Sequence, residues 1–73
     1  MQLFDEALAV IAAVMHNGAA THPESEWIRR GVDYHLARTE QHLRRLHDGS
    51  QAEDHLAHAT TRLLMALTLR ELG

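Results

Sequence analysis

The spacing of apolar residues along the chain predicts helices joined by short polar turns. Apolar side chains recur three and four positions apart, which is the period of an α-helix rather than of a β-strand. From this spacing we predict main helices over residues 3–16, 34–47 and 51–72, and a short helix near residues 23–30. The predicted fold is a small all-α bundle that forms a single domain, residues 1–73.

Glycine, proline and a capping pattern mark the predicted helix ends. Gly18 is expected to stop the first helix, and Pro23 to begin the short one. Gly31 interrupts the pattern, so we expect a kink or a break there before the second main helix. Gly49 is expected to end that helix. The third helix then opens on Ser50-Gln51-Ala52-Glu53, which has the Ser-x-x-Glu form of a capping box.

Apolar stripes on the second and third helices are expected to face the core. They comprise Val32, Leu36, Thr39, Leu43 and Leu46 on the second helix, and Leu56, Thr60, Leu63, Leu64 and Leu67 on the third. The third helix is also apolar on its other side, through Met65, Leu69 and Leu72. A helix that is apolar nearly all round needs burial on both sides, which three short helices cannot supply. We therefore predict a homo-oligomer, a dimer or tetramer, with the third helix at the interface.

Composition narrows the possible classes of protein. A chain of 73 residues without cysteine has no disulfide or thiolate metal site, so a partner chain or a histidine–carboxylate metal must help to stabilise it. A net charge of −3 argues against a nucleic-acid-binding surface. Asp5 and Glu6 stand where a signal peptide would be basic, and no apolar run approaches the ~20 residues that span a bilayer. We expect a cytoplasmic protein with no membrane contact.

The densest group of potential metal ligands opens the third helix, in Asp54-His55-Leu56-Ala57-His58. Asp54 and His58 are four residues apart and His55 and His58 three apart, so each pair shares a helix face. The turn before this helix is short, so the second helix should run antiparallel beside it and bring His42 to the same level. We predict a divalent metal site (Mg, Mn or Zn) formed by Asp54, His55 and His58 and completed from the second helix by His42, with His35 as the alternative ligand. The alternative without a metal is that His55 and His58 form hydrogen bonds inside an interface, or are simply exposed to solvent.

Other residues fit a phosphate or nucleotide ligand. Arg62 follows His58 by four residues, and with Arg38 and Arg45 it could hold a phosphate bidentately, although surface ion pairs are the commoner role for such arginines. Trp27 could stack on a base, although a lone tryptophan is more often a core anchor. No glycine-rich phosphate loop and no cysteine nucleophile is present.

These motifs resemble a known family. The residues that carry the likeness are Trp27, Gly31, Tyr34, His42-Leu43, Gly49, Asp54-His55-Leu56-Ala57-His58-Ala59 and Leu63-Leu64. Together they look like the phage and bacterial dATP/dGTP diphosphohydrolase N-terminal domain, over roughly residues 27–66. The resemblance implies an all-α domain in the neighbourhood of MazG-like nucleotide pyrophosphohydrolases, with a deoxynucleoside triphosphate (dNTP) ligand and His42, Asp54, His55 and His58 at its site.

Two functions follow from the sequence. The first is a metal-dependent pyrophosphohydrolase-like domain that hydrolyses or binds a dNTP. The second is a non-catalytic helical module for dimerisation or protein interaction, in which the histidines are structural. The sequence leaves open whether the domain is an enzyme.

Overall fold

A computed structural model describes residues 2–20 and 26–73 of the chain. Within these residues the fold is entirely helical, as predicted, with helices α1 (Asp5–Ala19), α2 (Glu26–His47) and α3 (His55–Leu72) and no strand. Helix α2 packs along α3, and α1 packs on α3 as well. No helix in this part of the chain is both long and apolar enough to cross a bilayer.

Helix α1 is longer at its C-terminal end than the sequence indicates. The prediction that Gly18 stops the helix is wrong, because α1 continues to Ala19. A glycine inside a helix costs only about 1 kcal/mol relative to alanine, so it weakens a helix without ending it. Helix α1 also buries none of its residues, and Leu3, Phe4 and Leu8 remain exposed around its first turns.

Gly31 divides α2 into two helical segments, as the sequence predicts. Its dihedral angles, φ 81° and ψ 168°, are not helical, so the chain changes direction between residues 26–30 and 32–47. This region of φ and ψ is essentially restricted to glycine. The start of the predicted short helix, including Pro23, lies outside the described residues.

A glycine and an aspartate define the turn between α2 and α3. Gly49 adopts φ 84°, its N–H bonds the carbonyl of Leu46, and the next N–H bonds Arg45, which is the Schellman arrangement. The predicted capping box is wrong, however. Helix α3 begins at His55 rather than at residue 51, and Asp54 caps it by accepting a hydrogen bond from the Ala57 N–H at 3.0 Å.

The predicted leucine stripes do not form the core. Leu36, Leu43, Leu63 and Leu67 are each 40–46% exposed. Thr39 is the one member of the predicted stripes that is buried. The contact between α2 and α3 otherwise buries other small and polar side chains: His35 and His42 on α2, and His55, Ala57, Ala59, Thr61 and Ala66 on α3. His35 and His42, which are seven residues apart, lie only about 60° around α2 from the centre of the leucine stripe. A modest rotation about the helix axis therefore exchanges one face for the other.

Candidate metal centre and adjoining cleft

Three potential metal ligands converge where α2 meets the start of α3. Nδ1 of His42 lies 3.1 Å from Nδ1 of His55. The Oε1 atom of Glu53 lies 3.3 Å from Nδ1 of His42 and 3.5 Å from Nδ1 of His55. Both histidines are buried, whereas Glu53 is 41% exposed at the rim. The three atoms thus form a nearly equilateral triangle, with the Glu53 corner at the exposed rim.

The triangle has dimensions that suit a transition-metal ion. With bonds of 2.0–2.1 Å, the donors of a tetrahedral zinc site are separated by about 3.3 Å. The three observed separations bracket this distance. Two imidazoles and one carboxylate are also the donor set of many catalytic metal sites, which keep a further position for water or substrate. The residues present therefore fit a divalent ion such as Zn²⁺ or Mn²⁺ better than Mg²⁺.

A serine hydroxyl lies against the second ring nitrogen of His55. Ser50 Oγ lies 3.1 Å from Nε2 of His55, so the ring can donate its Nε2–H to the hydroxyl and leave the Nδ1 lone pair facing Glu53 and His42. A hydrogen bond of this kind from the second ring nitrogen is the usual support of a metal-binding histidine.

Burial keeps His42 in the form that binds metals. Removal from water lowers the pKa of the His42 imidazole, and the positive potential of His58, Arg38 and His55 lowers it further, while Glu53 opposes the shift. Because the pKa of His42 lies below the ordinary histidine value of about 6.5, the ring is neutral at neutral pH. Only the neutral imidazole has a lone pair to give to a metal.

Glu53 was missed in the sequence, and Asp54 was chosen in its place. The capping pattern assigned the Glu53 side chain to the backbone of α3, but that role belongs to Asp54, whose carboxylate bonds Ala57. Asp54 is exposed and lies outside the triangle. The available signal was the short turn after Gly49, which folds the residue before the cap back toward α2. Metal binding by His42 and His55 stays a prediction.

His58 lies beside the triangle without belonging to it. Its ring stacks on that of His42, with centroids 5.2 Å apart and planes inclined by 29°. The side chain is partly exposed and lines a cleft that adjoins the metal centre. His58 is therefore next to any ligand in that cleft.

The cleft has a volume of about 900 Å³ and lies between α2, α3 and the C-terminal half of α1. Of the predicted phosphate and base contacts, Arg38, Arg62 and Trp27 line it, whereas Arg45 is exposed elsewhere on α2. Among the described residues no carboxylate lies within 4 Å of the guanidinium of Arg38 or Arg62. Arg38 is held by the Gln41 side chain, and its Nε is buried without a hydrogen-bond partner.

These features describe an all-α domain with a histidine–glutamate cluster at the edge of an arginine-lined cleft. The whole chain, residues 1–73, matches the family described as dATP/dGTP diphosphohydrolase, N-terminal. The chain therefore belongs to this family, and the match extends over α1, beyond the residues that carry the resemblance in the sequence. Neither the curated proteins nor the solved structures contain a match to the chain.

Proposed function

We propose that this chain is a metal-dependent domain that binds deoxynucleoside triphosphates in the cleft and hydrolyses them, with dATP and dGTP as the first candidates. The observation that carries this proposal is the triangle formed by His42, Glu53 and His55 at the edge of a cleft lined by two arginines. Among the described residues neither arginine has a carboxylate within 4 Å. Membership of the dATP/dGTP diphosphohydrolase N-terminal family supports the substrate class.

The side chains of the site would perform three different tasks. His42, Glu53 and His55 would hold the ion, which when bound polarises a phosphoryl oxygen and lowers the pKa of water. Arg38 and Arg62 would bind the phosphate chain, because a guanidinium pairs with phosphate oxygens through two parallel N–H bonds. His58 would accept the proton of the attacking water, since it lines the cleft beside the triangle.

The reaction of a pyrophosphohydrolase is a single displacement. Water adds to the α-phosphorus, the bond from that phosphorus to the bridging oxygen of the β-phosphate breaks, and the water gives up a proton. A nucleoside monophosphate and pyrophosphate leave. The arginines would stabilise the charge that develops on the departing pyrophosphate.

Elemental analysis of the purified chain, followed by a dNTP hydrolysis assay with chromatographic separation of products, tests the proposal. We expect one equivalent of divalent metal per chain and the release of monophosphate and pyrophosphate from dATP or dGTP. Arg62→Gln should lower kcat/KM by about 10- to 100-fold, through the loss of one charged phosphate contact. Arg45→Gln is the matched control and should leave kcat/KM unchanged. Background hydrolysis at every metal tested would exclude the enzymatic function.

A second candidate function, a homodimerisation module, is favoured by the exposed leucines. Val32, Leu36, Leu63 and Leu67, with Ala66 and Arg70, form a shallow apolar groove along α2 and α3. The only buried apolar side chains within the described residues are three alanines, which is too little apolar surface for a domain of this size. The apolar residues of the groove recur at heptad-like spacing on two antiparallel helices. A second copy of the chain, packed on this groove with its own α2 and α3, would complete a four-helix bundle.

The mass in solution tests this candidate. We expect a dimer, and Leu63→Lys should shift it to the monomer because a lysine in the groove would be desolvated. Leu72→Lys is the control, since Leu72 is 77% exposed at the end of α3 and lies outside the groove. A dimer that stays folded with chelator present and hydrolyses no dNTP would favour the interaction module over the enzyme. A monomeric wild-type chain would exclude dimerisation.

A further inference from the structure

His35 is the most deeply buried side chain of the described residues, with no exposed surface, although it is polar. Both of its ring nitrogens are occupied. Nε2 lies 2.7 Å from the carbonyl oxygen of Trp27, and Nδ1 lies 3.1 Å from Nη1 of Arg62. A carbonyl can only accept a hydrogen bond and a guanidinium can only donate one. The ring is therefore neutral, with its proton on Nε2 and its lone pair on Nδ1.

The bond to Trp27 joins the two parts of α2. Trp27 belongs to the short segment before the break at Gly31, and His35 belongs to the main segment after it. The rings of Trp27 and His35 also meet edge to face, with centroids 6.3 Å apart. His35 thus fixes the position of Trp27, a residue that lines the cleft, relative to the rest of α2.

The bond to Arg62 fixes a cation that has little other support. Burial lowers the pKa of the Arg62 guanidinium, and Arg38 and Arg30 lower it further, while Tyr34 and Glu26 act in the opposite direction. Glu26 forms its ion pair with Arg30, at 3.4 Å. The contacts of Arg62 are a neutral imidazole and the face of Tyr34, whose centroid is 5.6 Å from its Cζ atom. The half-buried charge therefore has no carboxylate within 4 Å among the described residues, although the more distant Glu26 carboxylate favours the charged form.

We propose that His35 is a positioning residue for a polyphosphate subsite: it holds Arg62 with its free N–H groups toward the cleft and keeps Trp27 at the same rim. His35 itself does not touch the ligand. The ligand class is the phosphate chain of a nucleoside triphosphate, so this inference rests on the proposed function. The subsite uses α2 and α3 but none of the three metal-ligand candidates, which makes it separable by experiment.

Two substitutions of His35 separate its two contacts. An asparagine amide can place an oxygen where Nδ1 stands, so His35→Asn keeps an acceptor for Arg62 and loses the donor to Trp27. A glutamine amide can place its nitrogen where Nε2 stands, so His35→Gln keeps the donor to Trp27 and loses the acceptor for Arg62. A purely structural role would respond to both losses in the same way.

The probe is inorganic triphosphate, with its affinity measured by calorimetry in the presence of chelator, so that no metal contributes. We expect His35→Gln to weaken binding about tenfold, close to the effect of Arg62→Gln, because a hydrogen bond to a charged group is lost. His35→Asn should bind within about twofold of the wild type. Equal losses in both variants, or no loss in His35→Gln, would overturn the proposal.

Nitrogen NMR of the wild-type chain gives a second test, which does not depend on whether the His35 variants fold. We expect His35 to show a proton on Nε2 only, and its Nδ1 resonance to move when triphosphate is added. A proton on Nδ1, or a resonance insensitive to triphosphate, would contradict the assigned role. Zinc titration without phosphate reports on His42, Glu53 and His55 separately, so failure of the subsite and failure of the metal centre are distinguishable.

Discussion

Glu53 and Asp54 are consecutive residues whose carboxylates have unrelated partners. Glu53 Oε1 lies 3.3 Å from Nδ1 of His42 on the neighbouring helix. Asp54 Oδ1 accepts a hydrogen bond at 3.0 Å from the N–H of Ala57 in its own helix. One carboxylate therefore belongs to the candidate metal centre, and the other holds the first turn of α3.

This division predicts opposite results for two conservative substitutions. Glu53→Gln should abolish stoichiometric zinc binding, because a neutral amide is a poor ligand beside two imidazoles. Asp54→Asn should bind zinc as the wild type does and remain as stable, because asparagine is as good an N-cap as aspartate. Elemental analysis and calorimetric zinc titration of both variants decide the matter. Zinc loss in Asp54→Asn with retention in Glu53→Gln would reverse the assignment.

His58 is expected to affect turnover rather than metal content. His58→Asn removes the imidazole that lines the cleft but leaves the three ligand atoms in place. We expect bound metal to remain at one equivalent, while kcat for dNTP hydrolysis falls by about 10²–10⁴, the usual contribution of a general base. Metal analysis and steady-state kinetics on the same preparation check this. Loss of the metal would instead identify His58 as a fourth ligand.

The metal-free chain should lose stability as the pH falls below about 6.5. Burial lowers the pKa of folded His42 below its unfolded value. In the window between the two values the unfolded chain binds more protons, so the free energy of unfolding decreases with falling pH, by at most about 1.4 kcal/mol per unit for this one residue. Above the window the contribution is constant.

Urea unfolding in chelator across pH 5–8 measures this dependence. His42→Gln should flatten the slope, because it removes the group that titrates differently in the two states. His47→Gln is the control, since His47 is exposed at the end of α2. An unchanged slope in His42→Gln would show that another group is responsible.

Two glycines should respond to alanine in opposite directions. Gly31→Ala should destabilise the chain by about 1–3 kcal/mol, because φ 81° with ψ 168° strains any residue that has a Cβ. The added methyl group itself meets no atom within 4 Å, so the cost is in the backbone. Gly18→Ala, inside α1 and equally uncrowded, should stabilise the helix by up to about 1 kcal/mol.

Thermal or urea unfolding of both glycine variants provides the comparison. If Gly31→Ala is as stable as the wild type, α2 can straighten through this position, and the contact between His35 and Trp27 across the break should then be lost. The 15N-detected tautomer of His35 would report that loss directly.

The sequence alone determined the helical class, the break at Gly31 and the turn at Gly49, because periodicity and glycine conformation are local properties. It also determined that His42 and His55 approach each other, because a short turn between antiparallel helices leaves little choice of level. Only the tertiary structure decided that Glu53 rather than Asp54 joins them, since the dihedral angles of the seven turn residues 48–54 set where α3 begins. The rotation of α2 that buries His35, Thr39 and His42 was likewise decided by packing. Small alanines on α3 let the helices approach closely, and the buried histidines satisfy their hydrogen bonds there, which leaves the leucines outward.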